Sequence, residues 1–200
     1  MKRNVATEYV HSNMSEILRL SPTKQNLLLA RQVLHFAPRT CQQEALAEML
    51  RFEQDEELVS LAKLFVAESP DAPYSFLIVR RLCKVDPAFA VPWLAEWAET
   101  ALPEQQYQAF ASILNVTSEP KYLEEAQSIL LANDRHGLPE VPETKANLLL
   151  QMLKHDRSSE FQDYIRNFLA QLIHPGAEVR RLARRFAEVS EARLDEPIVE

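Results

Sequence analysis

Glycine occurs at only two positions, 137 and 176, in a chain of 200 residues. Tight hairpins and bulges draw on glycine for positive φ, so this supply argues against an extensive β-sheet, and no Asn-Gly or Asp-Gly pair is present. Apolar residues recur instead every three to four positions, which is the pattern of an amphipathic helix. With 46% hydrophobic residues the chain can form a packed core, which sets it apart from disordered sequences. The expected class is all-α.

The helix starts are marked by capping residues and prolines. Ser21-Pro22 reads as an N-cap with proline at the first helical position, where a missing N–H costs nothing. Thr40 and Gln43 have the spacing of a capping box, and Asp55 can cap a helix carrying Leu58, Leu61, Ala62, Phe65 and Val66. Further helices are expected from Asp71 to about Lys84, from Asp86-Pro87 to about Thr100, from Pro103 to about Asn115 and from Ser118 to about Asn133. Asn133 to Pro142, which holds Gly137, Pro139 and Pro142, breaks the pattern. Two apolar-periodic stretches follow, and the last pair, about Ser159–Ile173 and Pro175–Ser190, is split by His174-Pro175-Gly176.

Connections this short force successive helices to lie antiparallel and adjacent. About eleven short helices fit a right-handed α-solenoid of stacked pairs better than one bundle. A self-similarity points the same way. Thr23-Lys24-Gln25-Asn26-Leu27-Leu28-Leu29 recurs as Thr144-Lys145-Ala146-Asn147-Leu148-Leu149-Leu150, and 144 − 23 = 121. Glu57 to Phe65 resembles Glu178 to Phe186, and 178 − 57 = 121 again. An internal duplication would place these helices at equivalent stations in the stack. The offset holds three units of ~40 residues, as in HEAT or armadillo repeats, whereas pair starts near 40, 72 and 103 are closer to the ~34 of tetratricopeptide repeats. The segment Phe161 to Val189, whose second helix opens Val179-Arg180-Arg181-Leu182-Ala183, resembles a HEAT repeat, and Leu58 to Phe65 resembles it in part. The resemblance implies a HEAT/armadillo-like fold and carries no chemistry.

Arg180, Arg181, Arg184 and Arg185 form a cationic stripe on the last helix, because residues four apart stack one turn above another. Arginine forks suit an acidic protein segment or a phosphate-bearing ligand; otherwise the stripe is a solvated face paired with Glu178 and Glu188. Arg80, Arg81 and Lys84 form a smaller basic group, and the stretch from Glu44 to Glu57 is acidic. Trp93 and Trp97, one turn apart, read as core packing, with an exposed aromatic hot spot as the alternative.

Cys41 and Cys83 have no disulfide or zinc spacing and read as free thiols. His11, His35, His136, His155 and His174 are scattered, and no phosphate loop, nucleophile elbow or nucleotide fingerprint occurs. No cofactor or metal is expected. A net charge of −7 disfavours bulk nucleic-acid binding. No apolar h-region follows Met1-Lys2-Arg3 and no apolar run is long enough to span a bilayer, so a cytoplasmic location is expected.

The sequence therefore predicts one helical-repeat domain over 1–200: an N-terminal helix over 1–21, helix pairs over 22–132, a loop over 133–142, the last pairs over 143–190 and a polar tail over 191–200. The expected function is a non-catalytic scaffold or adaptor that binds a protein or peptide, with Arg180, Arg181, Arg184, Arg185, Arg80, Arg81 and Lys84 as anchors. The alternatives are a HEAT-like nucleic-acid or DNA-repair protein of the glycosylase type, and a structural subunit of a larger complex. Trp93 is followed four residues on by Trp97 where the glycosylase pattern has an acid.

Overall fold

The computed structural model describes residues 13–135, 142–172 and 175–194, the last four as backbone only. Among the described residues there are eleven helices and no strand. They are α1 (Met14–Leu20), α2 (Lys24–Phe36), α3 (Arg39–Met49), α4 (Glu56–Glu68), α5 (Ser75–Leu82), α6 (Pro87–Ala98), α7 (Pro103–Leu114), α8 (Pro120–Arg135), α9 (Pro142–Met152), α10 (Ser159–Ala170) and α11 (Ala177–Leu194). The chain divides into two compact units, Met1–Trp93 and Leu94–Glu200. Most of the expected break at 133–142, the tail beyond 194, and His11, His136 and His174 lie outside the described residues.

Several helix starts are set by the expected caps. The Asp55 carboxylate accepts from the Leu58 amide at 3.0 Å, Asp86 from Phe89 at 3.1 Å, and the Ser158 hydroxyl from Phe161 at 3.3 Å. Two starts differ. Thr23, not Ser21, caps α2, its hydroxyl accepting from the Asn26 amide at 3.2 Å. Ser21 is engaged elsewhere: its own amide closes α1 by donating to the Ile17 carbonyl at 2.8 Å. The Thr40–Gln43 capping box does not form, because α3 begins two residues earlier, with Pro38 at the cap position, and turns Gln43 into the core at 2% exposure.

In the first unit α3 is the hub, packing on α1, α2, α4 and α5. Its Ala45, Leu46, Ala47 and Met49 are buried, and the small alanines let neighbouring backbones approach closely. Arg39 lies with its guanidinium carbon 3.5 Å from the centre of the Phe65 ring and pairs with Glu68, which ties the start of α3 to α4. In the second unit α9 is the hub, held between α7 and α11. Lys145, Ala146, Leu148, Leu149, Leu150, Gln151 and Met152 are all buried, so α9 has almost no solvent face. Leu148, Leu149 and Leu150 follow one another around the helix, so it must be covered on more than one side, and each fully buried leucine contributes about 1.5–3 kcal/mol.

Every principal helix contact within a unit joins helices one or two apart along the chain. The odd-numbered helices form a row in each unit, α1–α3–α5 in one and α7–α9–α11 in the other, with α2, α4, α8 and α10 against them. The segments related by 121 residues are helical at matching positions: α3 shifted by 121 is 160–170, against Ser159–Ala170 for α10, and α4 becomes 177–189, within α11. They do not occupy equivalent stations, however. The offset spans seven helices, from α2 to α9, and an odd number of steps carries a helix from flank to row. Hence α2 packs chiefly on α3 and leaves Leu28 64% and Phe36 79% exposed, whereas Leu149, the counterpart of Leu28, is fully buried.

This asymmetry has a measurable consequence. Leu149→Ala is expected to cost about 2–5 kcal/mol and Leu28→Ala less than about 0.5 kcal/mol in denaturant unfolding; equal effects would contradict the non-equivalence of the two stations.

Candidate functional site

Helix α11 is set in place from its first turn. The Glu143 carboxylate, from the first turn of α9, accepts from the Glu178 amide at 2.8 Å and so caps α11 from a neighbouring helix. Gly176 makes room for it, because a Cβ there would collide with that carboxylate. Val179 and Leu182 are buried, which turns the intervening arginines outward.

The four stripe arginines then part company. Arg180 bends back, donating to the Pro175 carbonyl at 2.6 Å. Arg181, Arg184 and Arg185 line an open groove of about 430 Å³ facing Leu150, Gln151, Leu153 and Lys154, with Glu188 at one end. Leu150 and Leu153 are 5% and 2% exposed and form an aliphatic floor. The Lys154 ammonium is held by the amide oxygens of Asn115, at 3.1 Å, and Gln151. Arg185 pairs with Glu188 at 2.7 Å, and Arg181 lies 3.6 Å from Glu178. Arg184, exposed, has no hydrogen-bond or ion-pair partner among the described residues. Among the described residues the lining is thus mainly cationic, with Lys154, Arg181, Arg184 and Arg185 beside Glu188. That is a local reversal of sign in a chain of net charge −7.

The second basic group belongs to the other unit. Arg80 is half-buried, 5.3 Å from the Phe76 ring centre, and burial together with the adjacent Arg81 lowers its pKa. Arg81 and Lys84 are exposed. The acidic stretch is largely taken up internally: Arg31 meets Glu53 at 2.9 Å, Glu57 at 3.4 Å and Asp55, which clamps α2 to the start of α4. The Asp55 carboxyl is held below its usual range by the Leu58 amide first and then by Arg31. Trp93 and Trp97 are both half-buried.

One cluster, built on a buried lysine, escaped the sequence reading. Lys145 is 3% exposed, and its ammonium lies 2.7 Å from the Asp134 carboxylate, which also accepts from the Tyr164 hydroxyl at 2.6 Å. The ammonium lies over the rings of Tyr164 and Phe168, 5.5 and 5.3 Å from their centres. Burial alone would lower the pKa of Lys145, but hydrogen bonds to Asp134 and Tyr164 more than offset it and the net shift is upward. Burial and the bond to Asp134 raise Tyr164 as well. A nucleophilic lysine needs a depressed pKa and a tyrosine base a lowered one, so this cluster is arranged to hold charge in place. Cys83 is buried, and burial pushes its thiol up to about 11, away from the reactive thiolate. Among the described residues no group of three or more His, Cys, Asp and Glu side chains could hold a metal ion, and no helix is long and apolar enough to cross a membrane.

Comparison of the chain with protein-family models, with curated proteins and with solved structures yields no match.

The raised pKa of Lys145 sets a pH dependence. Its protonated form is favoured in the fold, so its contribution is complete below the ordinary value of 10.5 and is lost as pH rises through the higher folded value. The melting temperature is expected to fall above that pH by more in the wild type than in Lys145→Met, measured by circular dichroism; parallel curves would show that the ion pair contributes nothing.

Proposed function

We propose that this chain is a non-catalytic interaction scaffold of the HEAT/armadillo-like class, a right-handed α-solenoid acting in the cytoplasm and binding a protein or peptide without a cofactor. Packing limited to helices one or two apart, with odd-numbered helices in a row, supports the solenoid, since each repeat of such a stack touches only its neighbours. The observation that carries the function is the groove: Arg181, Arg184 and Arg185 face Lys154 across an aliphatic floor, and Arg184 is left without a neutralising partner among the described residues. An ordered cationic groove on an acidic chain favours an anionic partner and speeds its approach. In the same unit the buried Lys145 and the half-buried Tyr164 have pKa values displaced away from acid–base or nucleophilic use, as does the buried Cys83 of the first unit.

The test is affinity capture from native extract with wild-type bait and an Arg181→Glu/Arg184→Glu bait of matching helicity. A protein held by the wild type and depleted about tenfold or more on the variant, as expected when about 1.4 kcal/mol of binding is lost, supports the proposal. Identical recovery on both baits would reduce the stripe to a solvated face. Recovery of nucleic acid alone, lost on the variant, would replace the scaffold by a nucleic-acid-binding protein.

A further inference from the structure

The groove between α9 and α11 differs from a plain basic patch in three respects, and together they narrow what can occupy it. Its floor is aliphatic, made by Leu150 and Leu153, so part of the occupant is apolar. Its cations are mainly guanidiniums, whose planar forks match carboxylates with two parallel hydrogen bonds. Its rim also carries carboxylates: Glu188 closes one end on Arg185 at 2.7 Å, and Glu178 flanks Arg181 at 3.6 Å. A nucleic-acid duplex, with one charge per ~1.7 Å of axis, would be pushed against those carboxylates and has no apolar part for the leucine floor. A short acidic segment with one aliphatic side chain meets no such conflict.

We propose that the groove binds an acidic peptide segment in which aspartate or glutamate alternates with leucine-like residues. Its carboxylates go to Arg184 and Arg181, and its aliphatic side chain covers Leu150 and Leu153. The proposal rests on the scaffold function and specifies the class of partner. Residues 181 and 184 lie one turn apart, roughly 5 Å along the helix. Carboxylates on alternate residues of an extended segment, or one turn apart on a helix, have a comparable separation. Glu188 already occupies Arg185 as a ligand carboxylate would, so it acts as an internal competitor for one of the groove's three guanidiniums.

That competition supplies the test. A fluorescein-labelled Leu-Glu-Asp-Leu-Glu-Glu peptide is titrated with the full chain by fluorescence anisotropy at low salt, beside its neutral analogue Leu-Gln-Asn-Leu-Gln-Gln. The acidic peptide is expected to bind and the neutral one to bind at least about tenfold more weakly. Arg184→Gln is expected to weaken the acidic peptide by about tenfold, the order of a lost charge-assisted pair. Glu188→Gln is expected to tighten it by about two- to fivefold, the range of an exposed ion pair. Both residues are exposed, so unchanged helicity is the folding control. Equal binding of the two peptides, no effect of Arg184→Gln, or weaker binding by Glu188→Gln would overturn the proposal. If the peptide fails while partner capture still depends on Arg181 and Arg184, the acidic-segment proposal falls and the scaffold stands. If both fail, the scaffold falls as well.

Discussion

Leu148, Leu149, Leu150 and Met152 are buried on successive sides of α9, and much of the second unit follows from that constraint. A helix that must be covered on opposite sides needs two partners, and α7 and α11 supply them. The charged group drawn inside, Lys145, needs a carboxylate, which Asp134 provides from the end of α8, and Tyr164 of α10 binds the same carboxylate. A buried ammonium without a partner would cost several kcal/mol, so the cluster fixes the relation of α8, α9 and α10 even where its net contribution to stability is small. The apolar end of α9, together with Lys154 just beyond it, then becomes one wall of the groove, and the outward arginines of α11 become the other.

The two units use charge in opposite ways. In the first, Arg31 collects Glu53, Asp55 and Glu57, so the acidic stretch is spent on clamping α2 to α4. In the second, Arg185 and Arg181 have one carboxylate each nearby, and Arg184 has none among the described residues. The groove therefore sets a guanidinium without a carboxylate partner among the described residues beside two buried leucines. This is why the groove, and not the count of basic residues, is the surface we propose for binding.

Much of this was legible in the sequence because much of it is local. Scarce glycine and a recurring apolar period placed the chain in the all-α class, and Asp55 and Asp86 act as the caps their positions suggest. Where local signals failed, a competing contact had taken the residue: the Ser21 amide closes the preceding helix, and Gln43 is buried by tertiary packing. The arginine stripe was visible as a spacing of three and four, but spacing could not show that Arg180 turns to the Pro175 carbonyl while the other three meet Lys154. Lys145 carried only a faint signal, a lysine opening an apolar run, and its partners Asp134 and Tyr164 lie 11 and 19 residues away along the chain (145 − 134 and 164 − 145). The 121-residue similarity was real as sequence and as helix placement, yet burial diverged because the two copies lie an odd number of steps, seven, apart along the helix order.

The most direct test of the groove as the working surface is hydrogen–deuterium exchange on the chain with and without a protein captured from its native extract. Protection on binding is expected at the C-terminal end of α9 around Lys154 and along α11 from Arg181 to Glu188, with little change in α2. Protection centred on the exposed face of α2 around Leu28 and Phe36, with α11 unchanged, would contradict the account and move the binding surface to the first unit.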